Sequence, residues 1–446
     1  MKMLAQQRGS ILVGILWCMA VLAVVVVGAL HSVRLELQVA KNHSDAMQAH
    51  YLALAGIEKT KALLYRDAAE RKRGSTHHSG ALYNSPDDFR DVEFGRGRFS
   101  VMRQGTRDEG GSVVYGVCDE ESRLNVNSAS SSELGRLYQI KPEVVAAIVD
   151  WRDGNNNPST GGAELEYYAT LQPPYMPRNA PFQTMRELLM VRGITREDFK
   201  AEDDNLNGWL DPEEDDGSET SPVDNHDGVL DAGWSGLLTV DSSVRNINAA
   251  GESRIDLQSA DEKTLATVPG LSAEIAKAIV AYRGQKQIEN LAHLLDVTAP
   301  RPPGQPQPTG TNQPTGPKVI DQNLLMDIAD YVAPKSDEEV AGAININTAS
   351  AEVLACLSNV SLELAQAIVA YRKSAGFFPN IAHVLKVDGM TRQIFEQISP
   401  KVSVRSETFR IRSEGKVPSS GARRGIEVVV RLGAASFETL GYREDL

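Results

Sequence analysis

The sequence predicts an α+β fold with one long N-terminal helix, a small antiparallel sheet and a large, mostly α-helical insertion. A charge-free run at residues 11–30 continues without proline into helical periodicity as far as Leu64. Strand-like segments lie near both ends of the chain, within residues 91–120 and 403–433. A helical motif recurs three times between them, and a sheet split in this way makes residues 121–402 an insertion.

The charge-free run is long enough to span a membrane. Twenty helical residues at about 1.5 Å each cover about 30 Å, the thickness of a bilayer's hydrocarbon core. Lys2 and Arg8 precede the run and the first acidic residue is Glu36, so the positive-inside rule places the short end in the cytoplasm. We predict a transmembrane part at residues 10–31 and a soluble continuation of the same helix at residues 32–70.

The start of the run carries a processing signal. Arg8 and Gly9 directly abut the apolar residues, and this resembles the class III leader of type IV pilins and type II secretion pseudopilins. The resemblance implies a leader at residues 1–9, which prepilin peptidase removes by cutting between Gly9 and Ser10. A plain signal anchor explains the hydropathy and orientation equally well.

The two strand regions show β-rich, partly alternating sequence. The early region contains Arg98–Gln104 and Ser112–Val117, with glycine-rich turns around them. The late region contains Thr408–Lys416 and Gly425–Leu432, separated by a turn at residues 418–421. We expect the two regions to form one sheet.

The insertion contains three copies of one helical unit, at residues 125–200, 246–298 and 345–402. The copies align without gaps from an Asn or Gln through two short helices to an aromatic residue followed by arginine. Each copy opens on a hydroxyl side chain that can cap its first helix: Ser128, Ser259 and Thr348. This spacing is typical of helix-hairpin-helix or SAM-like units.

Helix-hairpin-helix units raise a DNA-binding alternative, because glycine-rich hairpins can present backbone amides to a phosphate. Gly270 is the one glycine at the first position of the three bends. The net charge of −13 also opposes binding to a phosphate backbone. We interpret the units as packing modules and expect no nucleic-acid partner; a membrane-anchored DNA-uptake protein is the alternative.

The acidic segment at residues 201–235 has metal-ligand spacing. From Asp203, oxygen-bearing side chains fall at positions 1, 3, 5, 9 and 12 of an EF-hand loop, with Gly208 at position 6. The predicted calcium ligands are Asp203, Asn205, Asn207, the Trp209 carbonyl, Asp211 and Glu214. A degenerate second copy offers Asn225, Asp227 and Asp231. A solvated acidic linker is the alternative, since these residue types also favour turns.

Nearly the whole chain resembles the minor pseudopilin K family of type II secretion. The string from Cys118 to Asn127 is similar to the segment by which the family enters its insertion. Gly14 stands at the fifth mature position, where pilin-like subunits usually have a glutamate, and this family is known for the loss of that glutamate. The resemblance implies a long helix packed on a small sheet, with no enzymatic activity. It also implies a position at the pseudopilus tip, which supports export of folded proteins across the outer membrane.

The family resemblance extends to a third loop and to partners. Residues 150–175 resemble a signature of this family, whose insertion holds structural calcium, and by that likeness Asp153, Asn155, Asn157 and Glu164 are candidate ligands. The implied partners are I-type and J-type minor pseudopilins, the major pseudopilin and prepilin peptidase, with the secretin and exported proteins as further contacts. The implied location is the inner membrane, with the body in the periplasm. A type IV pilus minor pilin is a further alternative.

Two features complete the sequence prediction. Residues 299–318 are rich in proline, glycine, glutamine and threonine, which predicts an exposed linker between the second and third units. Cys118 and Cys356 are the two cysteines outside the membrane run, so they can pair in an oxidising periplasm. The sequence contains no G-x-S-x-G, P-loop, dinucleotide or H-E-x-x-H motif, which indicates a protein that is not an enzyme.

Overall fold

A computed structural model describes most of the chain, and for residues 7–10 it gives the backbone without the side chains. The described ranges are 7–74, 80–111, 113–219, 223–299, 316–335, 337–433 and 436–444. Residues 1–6 of the predicted leader lie outside these ranges, as do residues 300–315 of the predicted linker.

The N-terminal stem is one continuous helix, Gln7–Gly74. Every side chain described before Asp45 is exposed, whereas one face is buried from there onward. The buried positions recur every three or four residues, as a helix packed along one stripe requires: Ala49, Leu52, Ala53, Ile57, Thr60, Leu63 and Leu64. The predicted single helix through the apolar run and beyond it is confirmed, and it ends four residues after the predicted boundary at residue 70.

The stem is also the membrane candidate. Within the part of the chain that the structure describes, Ile11–Gly74 is the one helix long and apolar enough to cross a membrane, by length and composition. The apolar part of this helix has no protein packed around it. Its exposed side chains therefore suit a lipid environment or the stems of other subunits.

A six-stranded antiparallel sheet packs on the soluble half of the stem. Its central strands are long and its edge strands short on one side, and we number the strands in chain order: β1 Val92–Phe94, β2 Gly97–Val101, β3 Cys118–Asp119, β4 Thr408–Val417, β5 Ala422–Leu432 and β6 Phe437–Glu444. The spatial order is β1-β2-β4-β5-β6, and β3 pairs with β4 beside β2. The early and late parts of the chain thus form one sheet, as predicted. The predicted strand at Ser112–Val117 lies outside it, because Val113–Val114 pairs with Arg103–Gln104 in a separate two-stranded sheet.

The sheet extends further than the predicted end at residue 433. β6 pairs along β5 from Phe437 to Glu444, with a bulge at Val429 and Val430. Its side chains are half-buried or exposed throughout. The sequence of β6 therefore lacks the alternation of a strand with one buried face, which explains why periodicity did not predict it.

The insertion consists of short helices and short strand pairs around its own core. Its α-helices are Ser131–Leu134, Pro142–Arg152, Leu165–Tyr168, Arg196–Lys200, Gly233–Leu237, Glu262–Leu265, Ala273–Arg283, Gln322–Ile328, Ala351–Ala355, Leu362–Ala375 and Arg392–Ile398. A hydrophobic cluster running from Leu124 to Val404 joins all three units, and a second cluster holds the stem to the sheet. The described residues therefore form two cores, one for each part of the fold.

The three units share the same local geometry. A left-handed residue sits at the same aligned position in each bend: Gln139, Gly270 and Asn359, with φ of 57°, 93° and 58°. An arginine at or near the end of each second helix donates to a backbone carbonyl of the unit's entry segment: Arg152 to Val126, Arg283 to Leu257 and Arg372 to Ile346. The entry strands pair in parallel with a later strand: 124–125 with 238–239, 255–256 with 332–333, and 344–345 with 402–403.

The helix caps differ from the predicted ones by two residues. Side chains of Ser130, Asp261 and Ser350 accept from the third amide of each first helix. The predicted caps Ser128, Ser259 and Thr348 instead lie in the turn before it. The reason is that each entry segment needs a turn of its own before the helix begins.

The link into the insertion is a run of three buried carboxylates, Asp119, Glu120 and Glu121. Asp119 accepts from Asn345 at 3.0 Å, and Glu121 accepts from the Thr408 amide at 3.1 Å. Glu120 pairs with Arg410 of β4 at 2.7 Å. Burial by itself raises the pKa of Glu120, but Arg410 and Arg123 lower it to about 2. This run ties the insertion to the sheet.

Candidate metal centres

The loop Asp203–Glu214 is shaped by its own side chains. Asp203 Oδ2 accepts from the Gly208 amide at 3.0 Å, and Gly208 has φ of 71°, a conformation that favours glycine. Asn205 Oδ1 accepts from the Asn207 amide at 2.7 Å, and Asn207 Oδ1 from the Trp209 amide at 2.7 Å. Each of these bonds spans two to five residues, so the sequence register predicts the turn directly.

The end of the loop closes on its beginning. The Nδ2 groups of Asn205 and Asn207 donate to Asp211 Oδ2 at 2.9 and 2.8 Å. Glu214 accepts from the Asp211 amide at 3.1 Å and from the Asp204 amide at 3.0 Å. The structure thus brings five of the six predicted ligand residues into one hydrogen-bonded turn through their side chains; the Trp209 carbonyl stays a predicted ligand.

One oxygen of this loop fits a cation. Asp203 is 3% exposed, and among the described residues nothing donates to its Oδ1 atom. Burial raises the pKa of Asp203, with Arg412 acting in the opposite direction. Burial also raises the pKa of Glu214 to about 7, assisted by the charge of Asp203. A buried carboxylate oxygen without a partner is costly in isolation, and a divalent cation would satisfy it.

The loop Asp153–Glu164 gathers its carboxylates differently. Oxygens of Asp150, Asp153 and Glu164 all lie within 4.8 Å of one another. Asp150 belongs to the preceding helix, Pro142–Arg152, and is fully buried. The sequence prediction did not include Asp150 as a ligand. The signal that was available is its spacing of three from Asp153 at a helix end, which places both carboxylates on one face.

Glu164 is the strongest indication of a ligand in this loop. It is 2% exposed, and within the described part of the chain neither of its two carboxylate oxygens has a hydrogen-bond partner. Burial, with the charges of Asp150 and Asp153, raises the pKa of Glu164 to about 7. Three carboxylates so close together need a cation or protons to balance their charge.

The predicted amide ligands of this loop make local bonds, and their role as ligands stays a prediction. Asn155 donates to Asp153 Oδ1 at 2.7 Å through its side chain and at 2.9 Å through its backbone amide. Asn155 Oδ1 accepts from the Asn157 amide at 2.7 Å. Both asparagines are exposed. They shape the turn that presents Asp153.

The degenerate copy makes the same kind of local bond as the Asp203–Glu214 loop. Asn225 and Asp227 use their side-chain oxygens to accept from the amides of Asp227 and Val229. Asp231 accepts from the Gly233 amide at 3.1 Å, and Glu202 accepts from the Asn225 and Asp231 amides. The predicted ligands of this copy therefore stay a prediction, and among the described residues none of them has a buried oxygen without a partner.

A different cluster occurs beside that copy. Asp215, Asp224 and His226 bring ligand atoms within 4.8 Å, but His226 is exposed and Asp224 already accepts from the Gly217 amide at 2.9 Å. Within the three acidic segments, as far as the structure describes them, the buried carboxylate oxygens without a partner belong to the other two loops. This cluster therefore lacks the feature that indicates a ligand.

The predicted disulfide is wrong, because Cys118 and Cys356 are both free thiols. Arg123 donates to Cys118 Sγ at 3.4 Å, whereas Cys356 Sγ donates to the Glu352 carbonyl at 3.4 Å. Burial raises the pKa of the Cys356 thiol to about 12. Each sulfur is thus placed by a different part of the fold, Cys118 on the sheet and Cys356 in the third unit.

The predicted cleavage site and linker are described in part. The backbone of Gly9 and Ser10 lies in the first turns of the stem helix. The two ends of the linker meet, since Thr298 and Lys318 form an antiparallel bridge and Ala299 donates to the Pro317 carbonyl at 3.0 Å. The described residues on the two sides of the linker are therefore paired with each other.

Comparison with known families matches two parts of the insertion. Residues 122–202 match the family model described as type II secretion system protein K. Residues 251–299 and 340–403 match the helix-hairpin-helix motif. The first match covers the first unit with the Asp153–Glu164 loop, and the other two cover the second and third units.

Curated relatives agree with these matches. Type II secretion system protein K of Pectobacterium carotovorum subsp. carotovorum is 26% identical over 214 residues, which cover 43% of this chain and 60% of that protein. Endonuclease/exonuclease/phosphatase family domain-containing protein 1 of Xenopus laevis is 29% identical over 157 residues, 34% of this chain and 28% of that protein. The chain thus spans less than two thirds of either relative.

A solved structure covers nearly the whole chain. The GspK-GspI-GspJ complex from enterotoxigenic Escherichia coli contains a chain that matches 93% of this one and is itself covered to 99%, with a TM-score of 0.41 and 11% identity. The resemblance to protein K of type II secretion, predicted from the sequence, is confirmed by the family model and the curated relatives.

Proposed function

We propose that this chain, a relative of type II secretion protein K, is a minor pseudopilin that caps the tip of the periplasmic pseudopilus and supports export of folded proteins across the outer membrane. One observation carries the proposal. The stem helix exposes all its described side chains before Asp45 and buries one face on a sheet after it, and the sheet bears a bulky insertion. Such a molecule has one end suited to a membrane or filament and one wide end.

The proposed mechanism is mechanical, and the protein is a structural subunit rather than an enzyme. The apolar stem packs among neighbouring stems, where an unpaired charge would be costly. Gly14 provides no carboxylate to neutralise the terminal amine of a subunit above it. The insertion widens the head beyond the sheet, which blocks addition of a further subunit. Both features suit the terminal position of a filament.

The proposed partners follow from similarity to protein K. They are I-type and J-type minor pseudopilins, the major pseudopilin and prepilin peptidase, with the secretin and exported proteins as further contacts. The proposed location is the inner membrane, with the body in the periplasm, moving to the pseudopilus tip after assembly. The positive-inside arrangement of Lys2 and Arg8 before the apolar run supports this orientation.

Mass spectrometry of the protein extracted from membranes tests the processing step. We expect the mature chain to begin at Ser10, lighter by the nine residues of the leader, while a Gly9→Val variant keeps Met1. Co-purification of the mature chain with the I-type and J-type subunits then tests assembly. An intact Met1 on the protein from wild-type envelopes would contradict the proposed function.

We further propose that calcium stabilises the insertion. Asp203, Asp211 and Glu214, with the Asn205 and Asn207 side-chain oxygens and the Trp209 carbonyl, would hold one ion. Asp150, Asp153 and Glu164 would hold another. Support comes from the buried, unpartnered oxygens of Asp203 and Glu164, because oxygen-only ligand sets suit a hard cation. The ion's contribution would be charge balance and rigidity, with no chemical step.

The DNA-uptake alternative has less support, although the helix-hairpin-helix match is compatible with either function. Two of the three aligned bends carry a side chain, Gln139 and Asn359, where close approach to a phosphate favours glycine. A gel-shift assay at low salt separates the two functions. Micromolar or tighter affinity for DNA that falls steeply with added salt would favour DNA uptake.

A further inference from the structure

The Asp203–Glu214 loop lies on the sheet face opposite the stem. Phe409 and Ile411 of β4 pack in the stem–sheet core, so Arg412, the next residue along the strand, points to the other face. The Arg412 guanidinium lies directly against Gly208, where a Cβ atom would come within 1.6 Å of Arg412 Nη1. One strand of the sheet therefore contacts the loop at its tightest turn.

A second arginine holds the same loop from the last strand. Arg443 of β6 donates from Nη1 to the Leu206 carbonyl at 2.6 Å and from Nη2 to the Asn205 carbonyl at 2.9 Å. These contacts join residues more than 230 positions apart in the chain. The planar guanidinium holds both carbonyls at once and so fixes the backbone that presents the Asn205 and Asn207 side chains.

The two arginines belong to one row across the sheet. Arg412 pairs directly with Glu427 of β5, and Glu427 pairs with Arg443 of β6, so the three side chains share one face. Arg412 also donates from Nε to a Glu427 carboxylate oxygen. Glu427 thus aligns Arg412, and the side chains of Arg412, Glu427 and Arg443 form one row on this face of the sheet.

We propose that Arg443 is a positioning residue that couples calcium binding in the Asp203–Glu214 loop to the docking of β6 on the sheet. This inference rests on the proposed calcium site. An ion that orders the loop also fixes the two carbonyls that Arg443 holds, so β6 docks more firmly. By reciprocity, docked β6 presents an ordered loop to the ion and raises its affinity.

Hydrogen exchange on the full chain in detergent micelles tests the coupling, with calcium chloride compared against EDTA. In the wild type we expect calcium to slow exchange of the amides at residues 437–444 about fivefold or more. In Arg443→Ala the same amides should respond less than about twofold, and calcium affinity measured by titration calorimetry should fall about fivefold or more. Glu214→Gln should remove the loop's calcium response and leave Arg443 intact.

Arg98→Gln is the matched control, because Arg98 of β2 pairs with Asp91, the residue before β1, at 3.0 Å. It should keep the wild-type response of residues 437–444. Protected amides at residues 49–64 of the stem verify that each variant is folded.

Calcium binding without any change at residues 437–444 would overturn the coupling and leave the calcium site standing. An equal response in wild type and Arg443→Ala would overturn it too. Absence of calcium binding to the wild type would overturn both.

Discussion

The loops Asp203–Glu214 and Asp153–Glu164 both end in a buried glutamate, yet they collect their remaining oxygens from different parts of the chain. The first loop bonds its own side chains to its own amides, from Asp203 Oδ2 to Gly208 onward. The second depends on Asp150, which the preceding helix supplies. The comparison shows that a terminal glutamate can belong to two kinds of site. One is held by hydrogen bonds within the loop, and the other is brought together by packing of the loop against a helix.

The two sites each offer three carboxylates, but the spacing of those carboxylates differs. In the described part of the chain, Asp150, Asp153 and Glu164 form a cluster within 4.8 Å, whereas no such cluster joins Asp203 to Asp211 and Glu214. The carboxylates of the first loop would therefore have to move closer together around an ion. Because site rigidity as well as ligand charge tunes calcium affinity, we expect the Asp153–Glu164 loop to bind more tightly.

Replacing either terminal glutamate should give the largest effect. In Glu164→Gln or Glu214→Gln, calcium should lose its stabilising effect at that loop, about 2.7 kcal/mol at a concentration 100 times the dissociation constant. In EDTA the same variants should be at least as stable as wild type, because each removes a carboxyl group that is costly to bury. Thermal unfolding with calcium and with EDTA measures both. Equal losses in the two buffers would mean that the glutamates act only in packing.

The two loops should respond differently to an added methyl group. Gly208→Ala places a side chain at φ of 71° against Arg412, so we expect a loss of about 1–2 kcal/mol. Gly154→Ala is the matched control, since a Cβ there meets no atom within 4 Å. Its stability should stay within about 0.5 kcal/mol of wild type. Chemical denaturation of both variants compares them, and a similar loss in both would remove the distinction between the loops.

The role of Asp150 as a calcium ligand can be tested by comparison with Asn157, a ligand that the sequence predicted. Asp150→Asn should weaken calcium binding about tenfold, because it removes one of three clustered charges. Asn157→Ala should change it less than about threefold, since the described contact of Asn157 is through its backbone amide. Calorimetric titration in a Glu214→Gln background isolates this loop. The reverse order of effects would restore the sequence-based ligand set.

The smallest effect is a pH dependence that appears without calcium. The pKa of Glu164 and Glu214 is raised to about 7, so the folded state binds more protons than the unfolded state between about pH 4.5 and 7. Stability in EDTA should therefore rise as the pH falls from 8 to 6. The pKa of Glu120 and of Glu427 is lowered to about 2, so these groups titrate below this window.

Calcium should reverse that trend, because it binds the ionised carboxylates and competes with protons. Melting temperatures at pH 6 and 8, with calcium or EDTA, give the comparison. The Glu164→Gln variant should show a shallower slope in EDTA than wild type. A melting temperature in EDTA that rises from pH 6 to pH 8 would show that other groups dominate the pH dependence in this range.

Much of the fold follows from the sequence because its signals are local. The absence of charge from Ile11 to Leu30 and the lack of proline to Leu64 specify one helix, and every hydrogen bond of a helix spans four residues. The gapless repeat specifies the bends, since its aligned positions share a left-handed backbone. The Asp203 register specifies its turn through bonds to near neighbours.

Only the tertiary structure decided the features that join distant residues. The docking of β6 depends on pairing with β5 and on Arg443 reaching the Asn205 carbonyl, and neither leaves a periodic pattern in the sequence. Asp150 joins Glu164 because the chain folds back on a helix end. Cys118 and Cys356 stay apart because the sheet and the third unit place them separately. Such contacts are fixed by the packing of whole elements, whereas the local signals act within a few residues.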